Sequence, residues 1–299
     1  MLLYELENGS TIFIRIRAVK KLTDHRNKTV REALLKTAQN DPYLRVRLEA
    51  IAVLGKERDD QTKNALLSLL KDNEPKVRGK VVNALRGFYK DNEVINTMID
   101  IIKNDSSNSV ASSAVRTLAQ LKPVKVYAVL KSGLKRKSWR HQMQSSILNT
   151  LVDLKEPRAF SDLEKFAKDP YHRDLRTTAI RGLGRLAGET KQHQSHALNL
   201  LLDYLKSSSP SIRSAAVSGL QSLGHQDAIS QLQWIESNDG KENIRNAAKR
   251  AISEIRRDRE SDLAGKNAGL IDKLQDKNKA LENQLKDIES KRKEITKDK

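Results

Sequence analysis

One pattern recurs down this chain and limits what it can fold into. An Asp-Pro or Asp-x-x-Pro turn is followed six or seven residues after the Asp by an arginine that has an apolar residue before it. In Asp41–Gly55 the pattern reads DPYLRVRLEAIAVLG. Asp41 is read as a helix cap and Pro42 as pre-set for the first turn. Val46, Ala50, Val53 and Leu54 then form one apolar stripe of a helix, and Gly55 is expected to supply a left-handed stop. Further copies are Asp72 with Val77-Arg78, Asp169-Pro170 with Leu175-Arg176, Ser209-Pro210 with Ile212-Arg213, and Asp239 with Ile244-Arg245. Asp105 with Val110-Ala111 and Ser138 with Met143-Gln144 keep the spacing without the arginine, and Ile16-Arg17 reads as the end of a cut-off first copy.

The marker positions 17, 47, 78, 111, 144, 176, 213 and 245 are separated by 30 to 37 residues. That is the length of one helix pair, and a tandem series of helix pairs is an α-solenoid. The one step of 37 contains a polar insert, Gly188–Ser195, read as a loop. Outer helices are expected near 29–39, 62–71, 93–103, 124–135, 157–168, 197–206 and 228–236, where Leu, Ile and Ala recur at three- and four-residue steps. Inner helices follow the Asp or Ser turns, and Gly55, Gly87, Gly184 and Gly224 mark their ends. The fold expected is therefore all-α: a right-handed α-solenoid of about seven to eight helix pairs over residues 1–256, its first repeat incomplete. Asp41 and Arg47, Asp72 and Arg78, Asp169 and Arg176, and Asp239 and Arg245 suggest a hydrogen-bonded ladder in which arginines tie together the turns of neighbouring repeats.

After Arg257 the pattern changes. Gly265 and Gly269 interrupt a polar stretch, so 257–269 is read as a linker. A heptad repeat then occupies 270–299. Ile271, Asn278, Leu285 and Arg292 hold one seam position, and Leu274, Leu281, Ile288 and Ile295 hold the other. Four heptads suit a coiled-coil tail capable of weak self-association, with an asparagine at a seam position where such residues fix register and strand number.

The formal net charge is +18, and it is unevenly spread. Between Ser106 and Val152 there is no Asp or Glu, but there are Arg116, Lys122, Lys125, Lys131, Lys135, Arg136, Lys137 and Arg140, with Trp139 among them. Such a segment favours an acidic partner, either a protein surface or, as the second candidate, nucleic acid with Trp139 stacking on a base. A solvated face and a tryptophan that plugs a turn account for the same residues. Trp234 sits at an outer-helix apolar position and is expected in the core.

Residues that carry chemistry are sparse. There is no cysteine, so disulfides and thiolate metal sites are excluded. Of the histidines, only His193 and His196 are close, and His-Gln-Ser-His has no third ligand at a useful offset. The HExxH, GxSxG, P-loop and GxGxxG signatures are absent; Gly182-Leu-Gly184 reads as a helix end. No catalytic, cofactor-binding or metal-binding residue is therefore assigned. No apolar run is long enough to span a membrane, and MLLYELENGS lacks the apolar core of a signal peptide; the localisation expected by default is cytoplasmic.

The Asp-Pro-x-x-x-Val-Arg units with their Leu-Gly ends resemble HEAT repeats over nearly all of residues 12–256. The order of units in 77–94, 104–121 and 153–167, with the IRR ending at Ile255–Arg257 and the tail beyond it, resembles the C-terminal HEAT region of bacterial zinc aminopeptidases of the aminopeptidase N family. That resemblance implies a non-catalytic helical domain covering a catalytic cleft built upstream, where zinc would also belong. The alternative is a stand-alone solenoid that binds nucleic acid or an acidic protein through residues 106–152.

Overall fold

The computed structural model describes residues 1–25, 27–121, 126–136, 138 and 141–297, with side chains at all of these except 262 and 287–297. The described residues form sixteen α-helices, and no strand occurs among them. They fall into two compact units, Met1–Ala197 and Leu198–Lys299.

The helices come as consecutive pairs: α1 (Leu2–Asn8) with α2 (Ile12–Lys21), α3 (Lys28–Asn40) with α4 (Leu44–Leu54), α5 (Asp60–Ser68) with α6 (Pro75–Leu85), and α7 (Asn92–Asn104) with α8 (Asn108–Leu121). α9 (Val126–Gly133) with α10 (Gln142–Asp153) and α11 (Phe160–Ala167) with α12 (Arg173–Thr190) complete the first unit's pairs. α13 (Gln194–Leu205) straddles the division; α14 (Pro210–Leu223), α15 (Ile229–Asn238) and α16 (Glu242–Lys297) belong to the second unit. Within the first unit the second helix of every pair packs on the second helix of the next, α2 on α4, then α6, α8, α10 and α12. These inner helices contribute a continuous core that includes Val46, Ile51, Val81, Val115, Leu118, Ile147, Leu151 and Leu183. In the second unit α16 packs on both α14 and α15 through Ile244, Ala248, Ala251, Ile252 and Ile255.

The repeated aspartate is not a helix cap. Asp41 Oδ1 accepts from the Tyr43 N–H at 2.9 Å, Asp72 Oδ1 from Glu74, Asp105 Oδ1 from Ser107 and Asp239 Oδ1 from Lys241. Each closes a tight turn two residues ahead of itself, just before the helix starts. That leaves the other side of the carboxylate for the preceding repeat. Arg15 Nε donates to Asp41 Oδ2 at 2.8 Å, and Arg47 donates to Asp72. Arg78 is bidentate to Asp105 at 2.8 and 2.9 Å, and Arg213 to Asp239 at 2.6 and 3.1 Å. The same arginines also hold their own repeat's turn: Arg47 donates to the Ala38 carbonyl, Arg78 to Asp72 and Asn73, and Arg213 to Ser207. The first donor is Arg15; Arg17, which the spacing singled out, pairs with Glu5 instead. Arg176 pairs with Asp169 of its own repeat, and Arg245 donates to the Asp239 carbonyl.

Burial works against the charge on Asp105, but the bonds from Arg78 and the Ser107 N–H outweigh it and hold the carboxyl below its ordinary value. At Asp239 the bond from Arg213 is the largest influence; with the Lys241 N–H it lowers the carboxyl against the opposing cost of burial.

Several expectations are corrected here. The first repeat holds two helices, the outer one only seven residues long. Gly55 has φ −66°, so it is not a left-handed stop; a Cβ there would lie 2.6 Å from the Ala84 Cβ, and close approach to α6 is what requires glycine. The left-handed end is Gly224, at φ +68°. Gly182 and Gly184 lie inside α12, which runs on to Thr190, so three of the eight residues of the polar insert lengthen that helix and two more open α13, leaving three between them. A Cβ on Gly182 would stand 2.6 Å from Leu163 Cδ2, which explains a small residue in mid-helix. The stretch 257–269 is helical within α16. Each glycine there costs about 1 kcal/mol relative to alanine, too little to stop a helix already nucleated by its packed first turns.

Candidate binding surface

The inner helices of the first unit expose a row of side chains opposite their buried stripe. On α6 these include Lys80 and Asn83, with Arg86 at its end; on α8, Ser109 and Arg116; on α10, Gln142 and Asn149; on α12, Arg181 and Arg185. The spacing follows from the helix itself: burying Val77, Val81 and Leu85 along one side turns Lys80 and Asn83 outward.

Two grooves lie along this row. One runs between α4 and α6, with Ala52, Gly55 and Ala84 as its small-residue floor and Arg58, Lys80 and Arg86 at its rim. The second runs between α8 and α10, where Ser112, Ser145, Ser146 and Asn149 present hydroxyls and amides between Arg116 and Asp153. Its acidic end is neutralised, since Asp153 accepts from Arg185 at 2.7 Å. Lys80, Arg86, Arg116 and Arg181 form no ion pair with any carboxylate among the described residues. Charged groups of the outer helices behave differently. Lys63 bonds Asp91 at 3.0 Å and Glu93 at 3.1 Å, and these acceptors raise its ammonium above the ordinary value despite opposing desolvation. Arg31 bonds Glu57, and Arg158 bonds Glu156. Lys63 and Arg31 are thus spent between repeats and Arg158 within its own turn, whereas the inner row keeps Lys80, Arg86, Arg116 and Arg181 without a described carboxylate partner, beside hydrogen-bonding side chains. Such a surface suits carboxylates or phosphates and suits an apolar ligand poorly.

The basic segment read from the sequence is divided between different elements. Arg116 belongs to the inner row. Lys131 is on the outer helix α9, where it bonds the Tyr127 hydroxyl at 3.1 Å and lies 3.7 Å from Asp162. Arg136 donates to the carbonyls of Ile102, at 2.8 Å, and Asp105. It ties two repeats together at the place where Ala111 leaves the ladder without an arginine. Lys135 is exposed after α9. Lys122, Lys125, Lys137, Trp139 and Arg140 lie outside the described residues. Lys80 and Arg86 lie in a shorter acid-free stretch, 75–90, that the longer one at 106–152 overshadowed, and Arg181 sits among mixed charges; only helical phase aligns the three.

Trp234 is 59% exposed on α15, beside Leu202, Leu205 and Ile235, and is not a core residue. The apolar side of α15 is carried by Leu232 and Ile235, which leaves position 234 on the outer side. His193 stacks on Phe160 with ring centres 4.6 Å apart, and His196 lies 3.1 Å from Glu164. Among the described residues no cluster of metal-ligating groups occurs, and no helix is long and apolar enough to cross a membrane.

The sequence matches the family described as HEAT repeats over residues 1–86, 32–110, 95–184 and 198–280. No curated protein matches the chain. Among solved structures, the Kap95p–RanGDP complex aligns with 85% of this chain and 40% of its own, at 13% identity and a TM-score of 0.63. Kap121p bound to Nup53p aligns with 85% of this chain and 32% of its own, at 14% identity and a TM-score of 0.54. The CpcE–CpcF complex of the phycocyanin lyase of a Nostoc species aligns with 54% of this chain and 99% of its own, at 24% identity and a TM-score of 0.46. At these identities the likeness is one of fold, and none of these matches is to an aminopeptidase.

Proposed function

Because this chain belongs to the HEAT-repeat family, we propose that it is a binding scaffold without chemistry of its own, which holds an acidic segment of a partner protein along the inner helices of its first unit. The observation that carries this reading is the row of half-buried Lys80 and exposed Arg86, Arg116 and Arg181, none of them paired with a described carboxylate, beside a groove of small residues and one lined by hydroxyls and amides. Helix pairs present such surfaces cheaply, because side chains facing away from the core are free to vary without loss of packing. The test is fluorescence anisotropy of a labelled Asp/Glu-rich peptide against the full chain. Lys80→Glu combined with Arg116→Glu is expected to weaken binding about tenfold or more, with thermal stability unchanged. Equal affinity in the double variant overturns the reading. So does preferential binding of a single-stranded oligonucleotide with a steep loss of affinity in salt, which assigns the surface to phosphates.

A second reading makes the partner an upstream catalytic domain of a zinc aminopeptidase. It draws on Tyr4 and Phe13, which stand 72% and 75% exposed on α1 and α2 and suit an apolar contact. The mass of the native polypeptide, read with the coding sequence ahead of Met1, decides it: an HExxH helix in frame supports this reading, and its absence removes it.

A further inference from the structure

Past Arg257, α16 continues for some forty residues; Arg259 still bonds Gln226, and the side chains described from Asp258 to Lys286 are all exposed. An isolated polar helix of that length needs no apolar stripe, yet this one carries Ile271, Leu274, Leu281 and Leu285, each half exposed or more; Leu285 reaches 59%. They fall on one seam with Asn278, in a heptad that Ile288 and Ile295 continue in sequence. We propose that this seam pairs with a second copy of the chain as a parallel, two-stranded coiled coil beginning at Ile271.

Three features select this occupant. Asn278 lies at the seam position of Ile271 and Leu285, the position at which residues face their own copies across a parallel dimer and do not in an antiparallel one. A buried asparagine there satisfies its amide against its twin and specifies two strands. The flanking charges select the same orientation. One flank carries Lys277, Gln284 and Lys291, and the other Gln275, Glu282 and Glu289. Parallel pairing sets each flank against the opposite one five residues on, so Lys277 meets the second copy's Glu282. Antiparallel pairing sets basic flank against basic and acidic against acidic. The third feature is that the cost of starting the helix is already met. Ala248, Ala251, Ile252 and Ile255 anchor its first turns in the second unit's core, so association adds contacts to a formed helix instead of ordering a coil. Arg292 at a seam position sets the outer limit of tight pairing.

The mass of the full chain in solution at low micromolar concentration tests this. A value twice 33.8 kDa is expected, falling to the single-chain mass in Leu274→Glu combined with Leu281→Glu, with the thermal transition of the repeats unchanged. Because the chain contains no cysteine, Leu285→Cys reports orientation without background: in a parallel pair the two thiols face each other and oxidise to a disulfide-linked dimer. A single-chain mass for the unaltered protein overturns the proposal, whether its own repeats or another protein cover the seam. A dimer that survives both glutamates overturns it as well, since it forms elsewhere. A dimer that does not cross-link through position 285, or an assembly larger than two, overturns the parallel two-stranded assignment.

Discussion

Asp105 uses its two oxygens for different purposes. Oδ1 closes its own turn through the Ser107 N–H, and both oxygens receive the guanidinium of Arg78 from the repeat before it. Removing Arg78 strands this carboxylate and the Asp72 and Asn73 carbonyls, so Arg78→Ala is expected to cost about 2–3 kcal/mol in a denaturant titration. Arg17→Ala, which removes only an exposed pair, should fall within about 0.5 kcal/mol of the parent. The carboxyls of Asp105 and Asp239 titrate below the ordinary 3.8. Their contribution is therefore complete above about pH 4 and is lost as pH falls through the lowered values. Asp105→Asn should lower the melting temperature near neutrality and flatten its decline below pH 4; an unchanged acid slope would show that this carboxylate is not coupled to folding. The aspartate–arginine spacing was readable in sequence because it recurs. Arg136 was not, since its acceptors are backbone carbonyls, which leave no mark in the residue order. Trp234 misled for a related reason: size suggests a core, while the phase of Leu232 and Ile235 decides which side of the helix faces in.

Between α3 and α15 helix existence and pairing were legible, and helix ends were not. Periodic Leu, Ile and Ala locate α3, α7 and α15 to within a few residues, whereas α12 and α16 run past glycines that looked like stops. Glycine follows a helix end in two different conformations, left-handed at Gly224 and right-handed at Gly55, and sequence does not reveal φ. At Gly55 it marks close approach. Gly55→Ala introduces a methyl 2.6 Å from the Ala84 Cβ and 3.2 Å from its Cα, which only a shift of α4 against α6 can relieve. The expected loss is about 1–3 kcal/mol, visible as a lower denaturant midpoint. Gly265→Ala, with nothing within 4 Å, should instead raise helicity in the far ultraviolet. The candidate binding row was hidden for a reason of the same kind. Lys80, Arg116 and Arg181 are far apart in the chain, and only the stacking of successive inner helices aligns them.

Within each unit, the described contacts join each repeat to its immediate neighbours, so the unit's stability is a sum of local packing and nearest-neighbour terms. The ladder gives that sum a direction. At the first three joints the arginine reaches forward to the next repeat's turn, Arg15 to Asp41, Arg47 to Asp72 and Arg78 to Asp105. Over these three joints the coupling points one way and repeats, so it does not record how many links precede it. Excising residues 41–71 removes one whole link and delivers Asp72 to Arg15, so the shortened chain should still melt in one cooperative step. Excising 41–56, about half that length, leaves Arg15 facing an outer helix and should not. The gene behind such a chain can therefore lengthen or shorten by whole links without redesigning a joint, which makes the reach of the binding face, more than its chemistry, the quantity free to change between relatives.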